Sequence, residues 1–315
     1  PKPIKYISSC KRSYCALYVD KTVFCWMAGY GPTQEPSPPG KGWVTATSND
    51  FGYSFLNEDG SVWSRNIGGT EVKWIDTPPS GEERFLSLHS AGNVFAGLTD
   101  TGRIAAWGLA RYYGEILGES RQTMNVEMSG YGKAVSGVPA EGYYTAIRAG
   151  KDSFCALWVN GTVNGAIHCW GATKKRIGDT TASGLCPSSI CRRPTDDGYV
   201  SLHSNHYSYV AVKADGTIYP FGDKTYGGLL PQSGGAHAVQ GPVYAGNFLH
   251  DVSYVVNSMS AHVAVFNNGT LACWGYEGYG GANFYHGRTG CPSGSGFTNV
   301  SASERGFAAL DPAGA

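Results

Sequence analysis

The chain has 315 residues, enough for a substantial core in one large or two ordinary domains. Glycine is abundant at 45 residues, aromatic residues make up 13% and charged residues only 15%, which argues against disorder and for a β protein rich in tight turns. The formal net charge is zero and no apolar run approaches the ~20 residues of a spanning helix, which argues against nucleic-acid partners and membrane insertion.

One unit recurs seven times. In the first copy Ile4, Ile7 and the pair Ala16–Leu17 precede Val23 and Trp26. In the second, Trp43, Ala46 and Phe55–Leu56 precede a turn, "EDGS", and Val62. In the third, Phe85, Leu88 and Gly97–Leu98 precede "DTGR", Ile104 and Trp107. The fourth has Tyr144, Ile147, Ala156–Leu157 and "VNGT", then an inserted "VNGA" before Ile167 and Trp170. The fifth has Tyr199, Leu202, Ala211–Val212, "ADGT", Ile218 and Phe221. The sixth has Val252, Val255, Ala264–Val265, "NNGT", Leu271 and Trp274. The seventh has Phe297, Val300 and Ala309–Leu310, and stops on its turn at "LDPAGA".

The anchors Leu17, Leu56, Leu98, Leu157, Val212, Val265 and Leu310 stand 39 (17 to 56) to 59 (98 to 157) residues apart. Asn-Gly and Asp-Gly pairs supply the positive φ of tight hairpins. Each unit therefore predicts strand, strand, tight turn, strand, then a variable glycine-rich connection. β-units of this period predict propeller blades rather than a helical solenoid. The expected fold is all-β, a single seven-bladed propeller over residues 1–315. Its last blade is incomplete in this chain, and the chain is expected to be part of a longer product. An open blade edge invites strand addition, from further chain or from another molecule.

The units resemble those of the regulator of chromosome condensation family, whose pattern runs small-x-x-H-[ST]-x-A-L, then D-G-x-V, then W-G-x-N-x-x-G-Q-L-G. "TDTGRIAAWGLARYYGEILG", from Thr99 to Gly118, is the nearest copy, and "FGDKTYGGLL" and "WGYEGYGGAN" are degenerate ones. The resemblance implies a seven-bladed propeller. It implies no single function, since members include a nucleotide-exchange factor, a plant ultraviolet-B photoreceptor and a bacterial β-lactamase inhibitor.

The nine cysteines sort by column. Cys15 and Cys155 lie two before the anchor, and Cys25 and Cys169 lie just before the tryptophan. These columns face each other across a hairpin, which predicts disulfides Cys15–Cys25 and Cys155–Cys169. Cys273 faces Val263 and is assigned to Cys291, leaving Cys186 with Cys191 around "CPSSIC". Cys10 is left as a buried free thiol or an intermolecular bond. It shares a column of small residues with Asn49, Ala91, Gly150, Asn205, Ser258 and Ser303. Zinc-type spacing is absent, so no metal or other cofactor is expected.

Sequons at Asn160 and Asn268 fall on hairpin turns and are expected to carry glycans. Asn299 lies within an inner strand and is expected bare. Paired cysteines with sequons predict a secreted, extracellular chain. "EPSPPG" and "DTPPSG" read as stiff connectors or as sites of proline hydroxylation.

No catalytic constellation is present in the sequence, and no enzyme activity is expected. Glu82–Glu83 and Asp196–Asp197 read as solvated turns, and His89 and His203 as strand residues or channel-lining ones. Arg192–Arg193 is a small basic pair. Tyr112, Tyr113, Tyr226, Tyr276 and Tyr279 follow third strands and are the candidate contacts of a loop face. Three functions remain open: a structural or assembly module, such as a fibre or cell-surface appendage subunit; a carbohydrate-binding propeller; and a protein-binding inhibitor or receptor domain. The partners expected are other extracellular proteins or copies of itself, with glycans as an alternative.

Overall fold

The structure is a computed structural model that describes residues 2–9, 13–27, 34–35, 37–49, 52–66, 84–91, 94–108, 142–151, 153–171, 193–228, 249–281 and 291–314. These residues form seven antiparallel sheets. The first holds β1 (Ile4–Ser9), β2 (Ser13–Tyr18), β3 (Val23–Met27) and a short β4 (Gln34–Glu35). The second holds β5 (Trp43–Asn49), β6 (Gly52–Asn57) and β7 (Val62–Asn66). The third holds β8 (Phe85–Ala91), β9 (Val94–Thr99) and β10 (Ile104–Gly108). The fourth holds β11 (Tyr143–Ala149), β12 (Ser153–Val159) and β13 (Asn164–Gly171). The fifth holds β14 (Tyr199–Ser204), β15 (Ser208–Lys213) and β16 (Ile218–Gly222). The sixth holds β17 (Val252–Asn257), β18 (Ala261–Phe266) and β19 (Leu271–Gly275). The seventh pairs β20 (Asn299–Ala302) with β21 (Phe307–Leu310). The chain forms two compact units, Pro1–Thr145 and Ala146–Ala315, divided within β11.

The repeating columns explain the cores. In the first unit Cys15, Leu17 and Cys25 pack on Trp43, Phe55 and Trp63, and Leu56 and Val62 pack on Phe85 and Phe95. In the second, Leu157 and Ile167 meet Tyr199, Leu202 and Phe221. Val212 and Ile218 meet Val252, Val255 and Trp274, and Val265 and Leu271 meet Val300. Anchor residues thus face the following sheet, and first-strand residues face the preceding one. Each large buried side chain contributes about 1.5–3 kcal/mol. Ile4 and Ile7 occupy first-strand columns of the first sheet, and each is about half exposed, at 51% and 53%. Leu310, the anchor of the seventh sheet, is 46% exposed.

One further column is aromatic throughout: Tyr14, Tyr53, Phe95, Phe154, Tyr209, His262 and Phe307, three before the anchor. Tyr209 shows its use. Its hydroxyl donates to the Ser153 carbonyl (2.9 Å) and accepts from the Gly150 amide (2.8 Å), tying the fifth sheet to the loop between β11 and β12.

The hairpin turns between second and third strands couple consecutive sheets. The Gly60 carbonyl accepts from the Phe85 amide (3.1 Å), Gly102 from Tyr144 (2.7 Å), Gly216 from Val252 (3.2 Å) and Gly269 from Phe297 (3.0 Å). All four glycines have left-handed φ, from 74° to 83°. At Gly216 an added Cβ would sit 2.6 Å from the Val252 nitrogen. Lys21 does the same work in the first sheet with φ 62°, its carbonyl accepting from the Trp43 amide, at the cost of left-handed strain in an L-residue. In the fourth sheet the insertion shifts the close approach to Gly165, whose Cβ would lie 1.9 Å from the Tyr199 carbonyl oxygen. Gly161, at the displaced tip, meets nothing within 4 Å.

Gly216→Ala is therefore expected to destabilise the fold by about 2 kcal/mol or more, since strain and overlap act together. Gly161→Ala should change stability by less than about 0.5 kcal/mol. Thermal or urea unfolding of the two variants checks the contrast; equal effects would refute the coupling role.

Candidate functional site

The strand ends opposite the hairpin turns carry the loops that vary most. In the second unit these loops share a backbone relay. The Lys151 amide donates to His206 O (2.8 Å), the His206 amide to Met259 O (3.1 Å), and the Met259 amide to Glu304 O (3.1 Å). Asn205 and Ser258, in the small-residue column of Cys10, serve as clamps. Asn205 is buried; its Oδ1 accepts from the Tyr207 and Ser208 amides, and its Nδ2 donates to the Tyr226 carbonyl (2.7 Å). The Ser258 hydroxyl donates to the Tyr279 carbonyl (2.7 Å).

The clamped loops display four tyrosines in one row. Tyr207 and Tyr226 have ring centroids 4.2 Å apart, Tyr226 and Tyr276 5.5 Å, and Tyr276 and Tyr279 5.7 Å. A cation closes each end. Lys151 lies 5.6 Å from the Tyr207 centroid and Arg305 5.4 Å from that of Tyr279. Each ring pair contributes about 0.5–1.5 kcal/mol beyond area burial. Tyr276 is exposed, and the other three rings are half-buried. The structure thus brings the predicted contacts Tyr226, Tyr276 and Tyr279 together, and adds Tyr207, which lies before a second strand and was not anticipated. Tyr112 and Tyr113 lie outside the described residues, as do Cys10, Cys186, Cys191, Arg192, the Glu82–Glu83 pair and "DTPPSG".

Two glycines per connection shape the row. Trp274 Nε1 donates to the Gly227 carbonyl (3.0 Å), and a Cβ on Gly227 would strike the His262 ring at 2.5 Å. His262 is fully buried. Its Nδ1 faces Asn257 Oδ1 (2.7 Å), and its Nε2 faces Ser208 Oγ (2.7 Å) and Asn205 Nδ2 (3.0 Å). A neutral ring protonated on Nδ1 donates to Asn257 and accepts from the Asn205 amide, while the Ser208 hydroxyl also reaches the Tyr226 carbonyl (2.7 Å). Burial, reinforced by His203, holds its pKa down to about 3. Burial and Arg148 hold His203 down to about 4. His203 Nε2 bonds the Ser201 hydroxyl and His89 Nε2 that of Ser87, so each histidine is tied to its own strand.

At the hairpin end of the second unit lies a cleft of about 490 Å³. Asp196 is fixed there, accepting from the Tyr199 hydroxyl (2.9 Å) and Lys213 Nζ (2.7 Å), with Lys213 5.0 Å from the Tyr199 centroid. Thr217, Tyr219 and Arg193 complete the wall, and Arg193 donates to the Ile167 carbonyl (2.8 Å). Asp196 is therefore an organised group rather than a merely solvated turn residue. Among the described residues no cluster of three His, Cys, Asp or Glu could hold a metal ion.

The sequons occupy this same end. Asn160 Oδ1 accepts from the Thr162 amide and hydroxyl, and Asn268 Oδ1 from those of Thr270. Asp20 and Asp215 make the same turn with Thr22 and Thr217. The Asn-Gly-Thr triplet is thus a turn motif as well as an acceptor sequence. Asn299 is exposed but sits in the β20–β21 pairing. Among the described residues three disulfides are present: Cys15–Cys25, Cys155–Cys169 and Cys273–Cys291.

No protein-family model matches the chain, and no curated protein matches it. Solved structures do. Yeast RCC1 (Prp20), solved bound to Kap60, aligns over 96% of this chain and 79% of its own, with TM-score 0.58 and 16% identity. The fold is that of a β-propeller. The CRINKLY WD40 ectodomain of the Arabidopsis thaliana receptor kinase ACR4 aligns over 87% and 80%, with TM-score 0.52 and 12% identity. The ectodomain of the Physcomitrella patens receptor kinase CR4 aligns over 96% and 69%, with TM-score 0.51 and 14% identity. Identities this low carry the fold alone.

The buried His262 and the half-buried His203, both neutral, make the second unit acid-sensitive. Their folded pKa values lie below the unfolded value of about 6.5, so the unfolded chain binds more protons between the two. Stability is complete above pH 6.5. It is expected to fall by up to about 1.4 kcal/mol per pH unit per histidine as pH drops, toward 4 for His203 and 3 for His262. Urea midpoints measured from pH 7.5 to 4.5 check this, and a flat profile would contradict it.

Proposed function

We propose that the chain is a non-catalytic extracellular glycoprotein module that binds protein partners through the tyrosine row, including copies of itself in an assembly. One observation carries the reading. The row, closed by Lys151 and Arg305, lies at the loop end of the second unit, whereas Asn160 and Asn268 lie at its hairpin end. Glycans on those turns leave the tyrosine face uncovered. Tyrosine and arginine are the residues favoured at binding hot spots. The three disulfides among the described residues and the likeness to two receptor-kinase ectodomains support an extracellular location. Likeness to Prp20p, a structure reported with its binding to Gsp1p and histones, supports protein partners in general.

A second reading is carbohydrate binding in the cleft. Asp196, Lys213 and Tyr199 each keep spare hydrogen-bonding capacity beside an aromatic wall, which suits a polyhydroxyl ligand.

Secreted, unreduced protein should self-associate in sedimentation velocity. Tyr276→Ala or Arg305→Ala should weaken that association by about tenfold or more, as hot-spot residues do. Peptide mapping should find glycans on Asn160 and Asn268, and Asn→Gln there should leave association unchanged. Monomers at every concentration would sink the self-assembly form. Binding of a glycan array, lost in Asp196→Asn, would favour the second reading.

A further inference from the structure

The tightest ring pair on the described surface is Tyr207–Tyr226, with centroids 4.2 Å apart and planes tilted by 30°. Both rings are half-buried, on loops held by the same Asn205 side chain. The loops are bonded directly as well, the Asp223 amide donating to the Tyr207 carbonyl (3.0 Å) and the Tyr226 amide to the Asp223 carbonyl (3.1 Å). The two phenols are thus held in contact by their supports, in a position that peroxide-derived oxidants can reach. Tyr276, 39% exposed, stands 5.5 Å from Tyr226.

We propose that Tyr207 and Tyr226 form an oxidative cross-linking site, converted to an intramolecular dityrosine by hydrogen peroxide and a haem peroxidase. The balance is simple. Peroxide takes one hydrogen atom from each phenol and leaves as two waters. The two phenoxyl radicals join through a new carbon–carbon bond between ortho carbons. The hydrogens on those carbons then shift to the phenolic oxygens, restoring both rings and both hydroxyls. The product has two hydrogens fewer than the starting pair. Tyr226 keeps its proton well above neutral pH, because burial and the neighbouring Tyr207 raise its pKa, so hydrogen-atom abstraction is the route. The row gives the reaction direction. A radical formed on exposed Tyr276 can pass to Tyr226 and be trapped where the rings are closest.

The cross-link covalently fastens the β14–β15 loop to the 3-10 turn Lys224–Tyr226, beneath which His262 is buried. It requires the oxidant and the row, not the assembly reading, and its test separates the two.

The purified chain, dilute enough to be monomeric, is treated with a haem peroxidase and limiting hydrogen peroxide. The readouts are dityrosine fluorescence and mass spectrometry of the digest. The expected product joins the peptides of Tyr207 and Tyr226, two hydrogens lighter, in the monomer fraction. Tyr226→Phe keeps the ring and the backbone bonds and should lose that product. Tyr276→Phe should keep the product but form it more slowly. In urea the selectivity should vanish. Reaction of other tyrosines without a Tyr207–Tyr226 pair would overturn the proposal. So would an unchanged intramolecular yield in Tyr226→Phe.

Discussion

The left-handed residue at each hairpin turn is the constraint on which the structure rests. A two-stranded hairpin is marginal by itself, and a three-stranded sheet needs its hydrophobic face covered. Here its apolar columns pack on the next sheet, and its turn accepts an amide at the start of that sheet, which fixes how closely the two approach. The approach leaves no room for a side chain at Gly60, Gly102, Gly216 or Gly269. Glycine supplies both the φ and the space. Where the chain departs from glycine, the contact is kept by other means. Lys21 accepts the strained φ, and its Nζ pairs with Glu58 near the second sheet's own turn. The four-residue insertion of the fourth repeat moves the contact to Gly165 and leaves Gly161 with nothing within 4 Å.

This constraint divides labour between the two ends of each sheet. The hairpin end is committed to sheet-to-sheet bonding, and its Asx turns repeat with little change. The opposite end couples sheets as well, through the backbone relay Lys151–His206–Met259–Glu304, but its longer connections differ in sequence and carry the binding groups. Even there the variation is supported. Asn205 and Ser258 hold the tyrosine-bearing connections, and the paired glycines at 227–228 and 280–281 let those connections lie flat on neighbouring backbone and rings. His262, in an aromatic column, shows what one substitution does. It turns a hydrophobic contact into a buried polar junction that binds three side chains and titrates far below neutrality.

Much of the architecture was legible because it repeats. Columns of large apolar residues and Asn-Gly or Asp-Gly pairs located every sheet among the described residues. The facing columns also identified which cysteines stand opposite one another, as the registers Cys15↔Cys25 and Cys155↔Cys169 show. Site features were less legible, because they depend on contacts between repeats. The column of Asn205 and Ser258 read as merely small, since nothing local reveals that its members clamp loops some twenty residues away. Asp196 read as a solvated turn because its partners Tyr199 and Lys213 meet it only after β14 and β15 pair. Tyr207 precedes a second strand and carries no such signal, whereas Tyr226, Tyr276 and Tyr279 announce themselves in loops that follow third strands. The Asn-Gly-Thr triplets were read as glycan acceptors, and the structure adds that the same three residues form the turn.

The most direct test of the account is native-state hydrogen exchange at the amides bonded to the turns: Phe85 and Val252, which begin first strands, and Phe297, two residues before β20. If the turn carbonyls hold consecutive sheets together, these amides should be protected to nearly the level of the neighbouring ladder amides. Exchange as fast as that of an exposed turn would show that the sheets are held by side-chain packing alone and that the left-handed turn residue is not their coupling element.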